Sequence, residues 1–512
     1  MKKLYLLFIG ALSMSTIYAQ EIDDAIRFSQ DEIQGTARFR ALSGAFGALG
    51  GDMSAVSLNP AGSAVFSRSH ASFTVSNVDT ENNTQYFNGL NNSNDSRFDI
   101  NQGGAAFVFA SNNNSPWRKF TIAIAYERTN SHDTNWRARG LNTNDDGNFS
   151  NSIASYFYDY ADGKRLDEIS ALPDESLSEA YQDIGAVYGF AHQQAFLGFE
   201  SFILEPDDVN NDANTLYFAN VSPGNFDHDY SYFAKGYNGK VTFNIATQYE
   251  DNLYLGLNLN SHFIDYQRTS LLFENNSNVG SIVNSVEFEN NLSTTGNGFS
   301  FQLGGIMKLS NEFRVGVTYD SPTWYTIEEE TTQYLATVRN DAGSNVTQVI
   351  NPGVVNVFPR YKLQTPAKLT GSLAYVFGKQ GLISFDYSRK DYSKTKFKPT
   401  SDAFFADQND IISNILTDAS TYRLGGEYKY EQFSFRGGYR FEESPYVDGL
   451  TIGDLNGYSL GIGYNFGNTK LDVTYDRSER SNATPLYNVG LVDTANIDRT
   501  NSNITLSLSF NI

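Results

Sequence analysis

Residues 504–512 read ITLSLSFNI, with Ile504, Leu506, Leu508, Phe510 and Ile512 alternating with Thr505, Ser507, Ser509 and Asn511. Successive side chains of an extended chain point to opposite sides, so this is a strand with one apolar face and one small polar face. The pattern recurs upstream. Leu471, Val473 and Tyr475 alternate with Asp472, Thr474 and Asp476, and Phe433, Phe435, Gly437, Tyr439 and Phe441 with Ser434, Arg436, Gly438 and Arg440. So do Phe313, Val315, Val317 and Tyr319 with Arg314, Gly316, Thr318 and Asp320. Leu253, Leu255, Leu257 and Leu259 form another such face, and Phe120, Ile122, Ile124 and Tyr126 a further one. A half-buried soluble sheet also alternates, and one strand decides nothing.

The connections discriminate. Short turns are expected at Ser111–Lys119, Glu250–Asn252, Ser310–Glu312, Gly378–Gln380, Tyr430–Gln432 and Gly467–Thr469. Between them lie long polar stretches, at Thr80–Asp95, His132–Asn238, Glu274–Asn284, Thr323–Tyr361, Asp391–Ala419, Glu443–Leu455 and Arg480–Asp498. Strict alternation of short and long connections is the habit of an outer-membrane barrel, with tight turns on one side and extended loops on the other. The reading is all-β, a transmembrane antiparallel barrel with an even count of about fourteen strands. The longest stretch, His132–Asn238, is too long to be structureless and should hold helices or hairpins.

Composition agrees. Aromatic residues make up 14% of the 512, with 32 Tyr and 38 Phe, as membrane-interface girdles would use. There is no Cys, which removes disulfides, thiol nucleophiles and a lipidated cysteine anchor. A net charge of -21 argues against nucleic acid, whose phosphates call for a basic face. Lys2 and Lys3, the apolar run Leu4–Leu12 and Ile17-Tyr18-Ala19 read as an export signal over residues 1–19. Its apolar run is far short of the ~20 residues of a membrane-spanning helix.

Residues 20–67 lack alternation. Residues 35–66, GTARFRALSGAFGALGGDMSAVSLNPAGSAVF, are rich in Gly, Ala and Ser, and Asp52 is placed to cap a short helix from Met53 to Leu58. Pro60 then holds Asn59 extended and ends it. Such close-packing backbone suits a plug within a barrel formed by residues 68–512.

Gly35-Thr36-Ala37-Arg38 through Ala45-Phe46, followed by Asn59-Pro60-Ala61-Gly62, resembles the N-terminal hatch of the FadL/TodX family of outer-membrane transporters. Thr365-Pro366 leading into residues 371–375, Tyr422 to Tyr428, Arg436 to Tyr439 with Ser444-Pro445 beyond, and Gly457 to Tyr464 are similar to that family's later strands. The resemblance covers nearly the whole chain apart from residues 132–238. It implies a fourteen-stranded barrel closed by a hatch, taking hydrophobic molecules such as long-chain fatty acids or aromatic hydrocarbons from outer loops to an inner pocket and releasing them sideways. It also admits a haemin-type receptor, or a barrel acting as a partner in secretion or surface assembly, because fold constrains cargo weakly. Implied partners are a hydrophobic ligand and outer-membrane lipids, with a monomeric chain, no cofactor and no catalysis.

The residues expected to bind or gate are Arg38, Phe39, Phe46, Asn59, Pro60, Ala61 and Gly62 of the hatch. Phe196, Leu197, Phe199, Phe202 and Ile203 form either a mini-core of the long loop or an exposed patch that captures ligand. Arg27, Arg38 and Arg40 are suited to pair with wall carboxylates or to meet an anionic head group, and pairing with the wall is favoured. Ala123, Ala125, Gly256, Gly316, Gly438, Gly461 and Gly463 face inward and leave room for either plug or ligand. Gly457-Tyr458-Ser459-Leu460-Gly461 matches a serine-hydrolase pattern, but lies within a strand rather than at a strand-to-helix elbow. The acidic runs Asp208–Asp212 and Asn142–Gly147 lack the twelfth-position acid of a calcium loop.

Overall fold

The computed structural model describes residues 22–111, 115–341 and 343–512; the expected export signal lies outside them. The wall is a closed antiparallel barrel of fourteen staves. In chain order these are β1 (His70–Tyr86), β2 (Gly89–Ala110), β3 (Trp117–Ser131, resuming as Thr134–Asn142), β4 (Phe226–Tyr249), β5 (Leu253–Asn275) and β6 (Val283–Lys308). Next come β7 (Phe313–Asp320, resuming as Trp324–Asp341) and β8, which runs in four pieces from Ser344–Ile350 to Lys368–Val376. β9 (Gly381–Asp391), β10 (Asp418–Tyr430), β11 (Phe433–Glu442), β12 (Leu455–Asn465), β13 (Thr469–Pro485) and β14 (Thr494–Asn511) complete it. β1 pairs with β14 from His70↔Asn511 to Gln85↔Asn496, so the sheet has no free edge at the seam.

The apolar faces read from the sequence point outward. Ile122, Ile124, Leu255, Val317, Phe435, Leu506 and Leu508 are all exposed on the wall, as lipid contact requires. Aromatic side chains gather where strands meet the short turns. Trp117 packs on Tyr249, Tyr375 on Phe377, and Tyr464 on both Phe433 and Phe466. Rings with a polar tip suit the membrane–water boundary, and these mark the girdle at the short-turn end.

Several stretches expected as loops are strand. β1 and β2 are joined by only Phe87 and Asn88, and most of 323–361 belongs to β7 and β8. Above the lipid a wall is wetted on its outer side, so its outward positions need not be apolar and the alternation that reveals a strand fades. Residues 132–238 behave likewise at both ends, where Thr134–Asn142 pairs with Phe226–Ala234 on β4.

The remainder of that stretch is a helical cap. It holds α4 (Ile153–Ala161), α5 (Leu177–Tyr188) and α6 (Phe190–Glu200) and a small hairpin of Leu204–Pro206 with Tyr217–Ala219. Ser152 caps α4 through the amide of Ala154, and Ser176 with Glu179 forms a capping box on α5. Their apolar faces join Phe288 of β6 and Leu335 of β7 in one core.

Inside the barrel lies the hatch. It comprises α1 (Ile22–Arg27), α2 (Ala37–Ala41), α3 (Met53–Leu58) and a 3-10 turn over Pro60–Val65. Asp52 caps α3 through the Ser54 amide, as its position suggests, and Asn59 caps the 3-10 turn through Ala61.

Candidate functional site

The hatch is bonded to the wall at many points. Arg38 reaches Glu427 on β10, and Arg40 holds Asp476 on β13 through Nε at 2.8 Å and Nη2 at 2.9 Å. Planar two-point contacts of this kind fix orientation as well as charge. Asp386 of β9 accepts the backbone amides of Phe46 and Gly47, both at 2.9 Å. Asn59 donates to the carbonyls of Gly47 at 2.7 Å and Gly305 at 3.2 Å, bridging hatch and wall. Arg27 pairs with Asp24 inside the hatch instead.

Six of the seven inward small residues serve the hatch, whereas Gly463 makes room for the Asp472 and Arg436 side chains of the wall. A Cβ on Gly256 would lie 2.3 Å from the Pro60 carbonyl carbon, and one on Gly316 would lie 2.4 Å from the Gly47 carbonyl oxygen. The Gly438 and Gly461 positions press on Leu42–Ser43 and Ala41 in the same way. Any side chain at these positions would displace hatch backbone. Ser459 belongs to this contact too, with its buried hydroxyl donating to the Ala41 carbonyl at 3.0 Å and bonded to the Ser43 hydroxyl at 2.8 Å.

Of the expected hatch residues, Phe39 and Phe46 pack together in an apolar core with Leu42 and Leu49, and Asn59, Pro60, Ala61 and Gly62 are buried against β4 to β6. None of the seven borders the cavity that lies beneath the cap. Phe39 faces a smaller one of about 120 Å³ between hatch and wall. In the cap, Phe196, Leu197 and Ile203 are fully buried, which is the mini-core reading. Phe199 is half-buried, and Phe202 is exposed beneath the Arg339 guanidinium, 3.7 Å from the ring centre. A patch open to solvent is thus confined to the last two. The acidic runs stabilise their own turns, Asp145 and Asp146 accepting the amides of Gly147 and Asn148 at 2.9 Å.

The cavity beneath the cap, about 450 Å³, lies between cap and hatch. Its floor is Ile26, Arg27, residues 30–34 and Arg40, and the cap contributes Tyr156, Tyr160 and Phe190. The wall contributes aromatic Trp136, Tyr230 and Tyr266, together with many arginines. Of this lining, sequence reasoning singled out Arg27 and Arg40; it missed most of the wall members because they come from the polar outer halves of strands, where no alternation marks which side chains face in.

The ladder of the wall is interrupted beside this cavity. β3 breaks at His132-Asp133, and its outer segment leans inward; Asn82, an inward side chain of β1, donates to the Asn135 carbonyl at 2.7 Å. β2 pairs with β3 only from Gln102↔Glu127 to Ala110↔Lys119, leaving residues 89–101 with no ladder on that side among the described residues. Charged side chains span the gap. Arg97 on β2 reaches Asp133 at 3.0 Å, and Arg128 on β3 reaches Asp133 at 3.4 Å and also binds Asp99. Asn130, Ser131, His132 and Thr134 beside the break, with Arg97, all border the cavity.

Comparison with known proteins agrees with this architecture. The solved structure of a Pseudomonas aeruginosa FadL homologue matches with a TM-score of 0.52 at 12% identity, covering 94% of this chain and 99% of that one. The P. putida toluene transporter TodX matches with a TM-score of 0.52 at 13% identity, again covering 94% and 99%. At such identity they establish the fold. No curated protein matches by sequence. The family model described as outer membrane protein transport protein (OMPP1/FadL/TodX) matches residues 224–511, more than half of the chain, and with the closed barrel and its internal hatch this places the protein in the bacterial outer membrane as a member of the FadL/TodX family.

Proposed function

We propose that this barrel carries hydrophobic or amphiphilic small molecules across the outer membrane by diffusion. They are taken in beneath the helical cap, held in the cavity above the hatch, and released through the gap between β2 and β3 into the membrane. The observation that carries this reading is continuity: the cavity lining includes both the cap residues Tyr156 and Phe190 and the gap residues Arg97 and Thr134. A cavity of this volume, apolar rings on one side and convergent polar groups on the other, is suited to a small ligand. The hatch below is bonded and packed tightly enough to block direct passage, which favours the sideways route.

The test is mass spectrometry of lipids extracted from the purified folded protein, paired with uptake by cells carrying or lacking it. Enrichment of one class of apolar or amphiphilic molecule, with slower uptake of that class on deletion, is the expected result. A protein that enriches nothing and whose loss leaves uptake unchanged would instead be a partner-binding barrel.

A further inference from the structure

Two pairs of arginines face each other directly across neighbouring strands on the inner wall. Arg423 of β10 stands opposite Arg440 of β11, and Arg480 of β13 opposite Arg499 of β14. All four border the cavity. Like charges directly opposed in a sheet repel, and a cavity shielded from water enlarges the cost. Other lumen arginines are closely neutralised: Arg38 and Arg436 share Glu427, and Arg40 on the cavity floor takes Asp476.

The four arginines of the opposed pairs have no such match. Glu442 stands 3.8 Å from Arg440 and 3.5 Å from Arg480, the distances of a loose carboxylate shared by two cations. Among the described residues, Arg423 and Arg499 have no carboxylate within ion-pair distance; Arg499 Nε donates only to the Asn501 amide oxygen at 3.3 Å. Arg423 Nε and Arg480 Nε are buried with no hydrogen-bond acceptor. Lysines and arginines outnumber carboxylates around the cavity, although the whole chain carries a charge of -21. The positive excess is local to this cavity.

We infer that the Arg423–Arg440 and Arg480–Arg499 pairs form a binding site for a head group with two negative charges, of the phosphate-monoester class, on the molecule that occupies the cavity. This rests on the transport reading and narrows its cargo to an anionic amphiphile. Guanidinium pairs present donors in forks that fit a tetrahedral oxyanion, and a dianion relieves both repulsions. The cap rings Tyr156, Tyr160 and Phe190 stand on the same cavity to meet an apolar tail.

Calorimetric titration of the whole protein in a non-ionic detergent near pH 8 tests this with dodecyl phosphate, dodecanoate, dodecanol and inorganic phosphate. Dodecyl phosphate is expected to bind roughly tenfold tighter than dodecanoate and dodecanoate tighter than dodecanol, on the scale of one added charge-assisted contact per step. In R423Q/R480Q the phosphate should fall to the level of the alcohol while the alcohol is unchanged, and R423K/R480K should recover part of the difference. Equal binding of the three twelve-carbon probes by the wild-type protein overturns the inference and leaves the transport reading in place, whatever the variants do. Binding of inorganic phosphate with no gain from the alkyl chain keeps the anion site and removes the amphiphile reading. No binding of any probe removes both.

Discussion

Arg38 in the hatch meets Glu427 on β10 through two hydrogen bonds, Nε to Oε2 at 2.9 Å and Nη2 to Oε1 at 3.3 Å. The same carboxylate accepts from Arg436 at 2.6 Å, and Arg436 passes on to Asp472 at 2.6 Å. Glu427 is fully buried, so it depends on these partners for its charge. Arg38→Ala leaves Glu427 with Arg436 and with Lys429 at 3.4 Å, and removes one of the ion pairs that tie α2 to the wall, Arg40–Asp476 remaining. A loss of about 1–3 kcal/mol in hatch docking is expected, below the cost of stranding a wholly unpaired buried charge. Hydrogen exchange should rise over residues 37–49 while the strands stay protected. Protection unchanged in the hatch would show that packing alone holds it.

The glycines of the inner wall separate hatch docking from barrel folding. Gly316→Val places side-chain atoms where the Gly47 carbonyl sits, whereas Gly371 has nothing within 4 Å of a Cβ. Overpacking of this kind costs about 1–3 kcal/mol. Gly316→Val is therefore expected to release the hatch and make it sensitive to protease, with the barrel still shifting its gel mobility on heating. Gly371→Ala should behave as wild type in both assays. Equal effects from the two substitutions would mean that the glycines serve strand geometry and not the hatch.

How much of this was legible in the sequence follows from where lipid touches the chain. Leu506 and Leu508 must be apolar because they face hydrocarbon, so the lower halves of the strands, their count and their short turns can be read directly. The small residues Gly256 and Gly316 stand out because hatch backbone lies against them, though one sequence does not say whether plug or ligand fills the space. Asn82, Arg97 and Arg480 carry no such mark. They lie on strand segments above the lipid, where both faces are polar, and only register brings Arg480 opposite Arg499 or Asn82 against β3. The cavity is built from these segments. Phe196 and Leu197 were visible as apolar, but burial under α4 could not be told from exposure without the fold.

The cap is fastened to the wall by Glu274 of β5. Its carboxylate accepts the Ser152 hydroxyl at 2.5 Å and the Ile153 amide at 2.7 Å, at the N-terminus of α4, and is bonded to His228 Nε2 at 2.8 Å. A carboxylate there satisfies free amides and meets the positive end of the helix. Glu274→Ala removes all three contacts from a buried site, for an expected local loss of about 2–4 kcal/mol. Limited proteolysis should then cut within residues 143–225 while the barrel resists, and the cavity should lose ligand faster. Resistance to cleavage would place the hold on the cap in its apolar core instead.

The charged lattice across the wall gap gives the proposed exit a direct test. Asp133 binds both Arg97 from β2 and Arg128 from β3, and is one of two carboxylates that join the two sides, the other being Asp99 of β2 with Arg128. Asp99 would still hold each arginine on its own, at 3.2 Å for Arg97 and in closer contact for Arg128, so the strands should keep their places when Asp133 is replaced. What changes is the Arg97 side of the crossing, where Asp133→Ala leaves a methyl group and the Asp99–Arg128 pair is the remaining ionic link. If ligand leaves by this route and the lattice bars it, uptake of a fluorescent amphiphile by cells should rise about two- to tenfold, the scale of one weakened charge contact. Hydrogen exchange of the hatch should change little, because it bonds to this strand through Thr129, Asn130 and the Ser131 amide and not through Asp133 itself. A bulky replacement, Asp133→Trp, should slow uptake below wild type. If both variants transported at the wild-type rate, the ligand would have to leave past the hatch, and Arg38→Ala would then be the substitution that accelerates it.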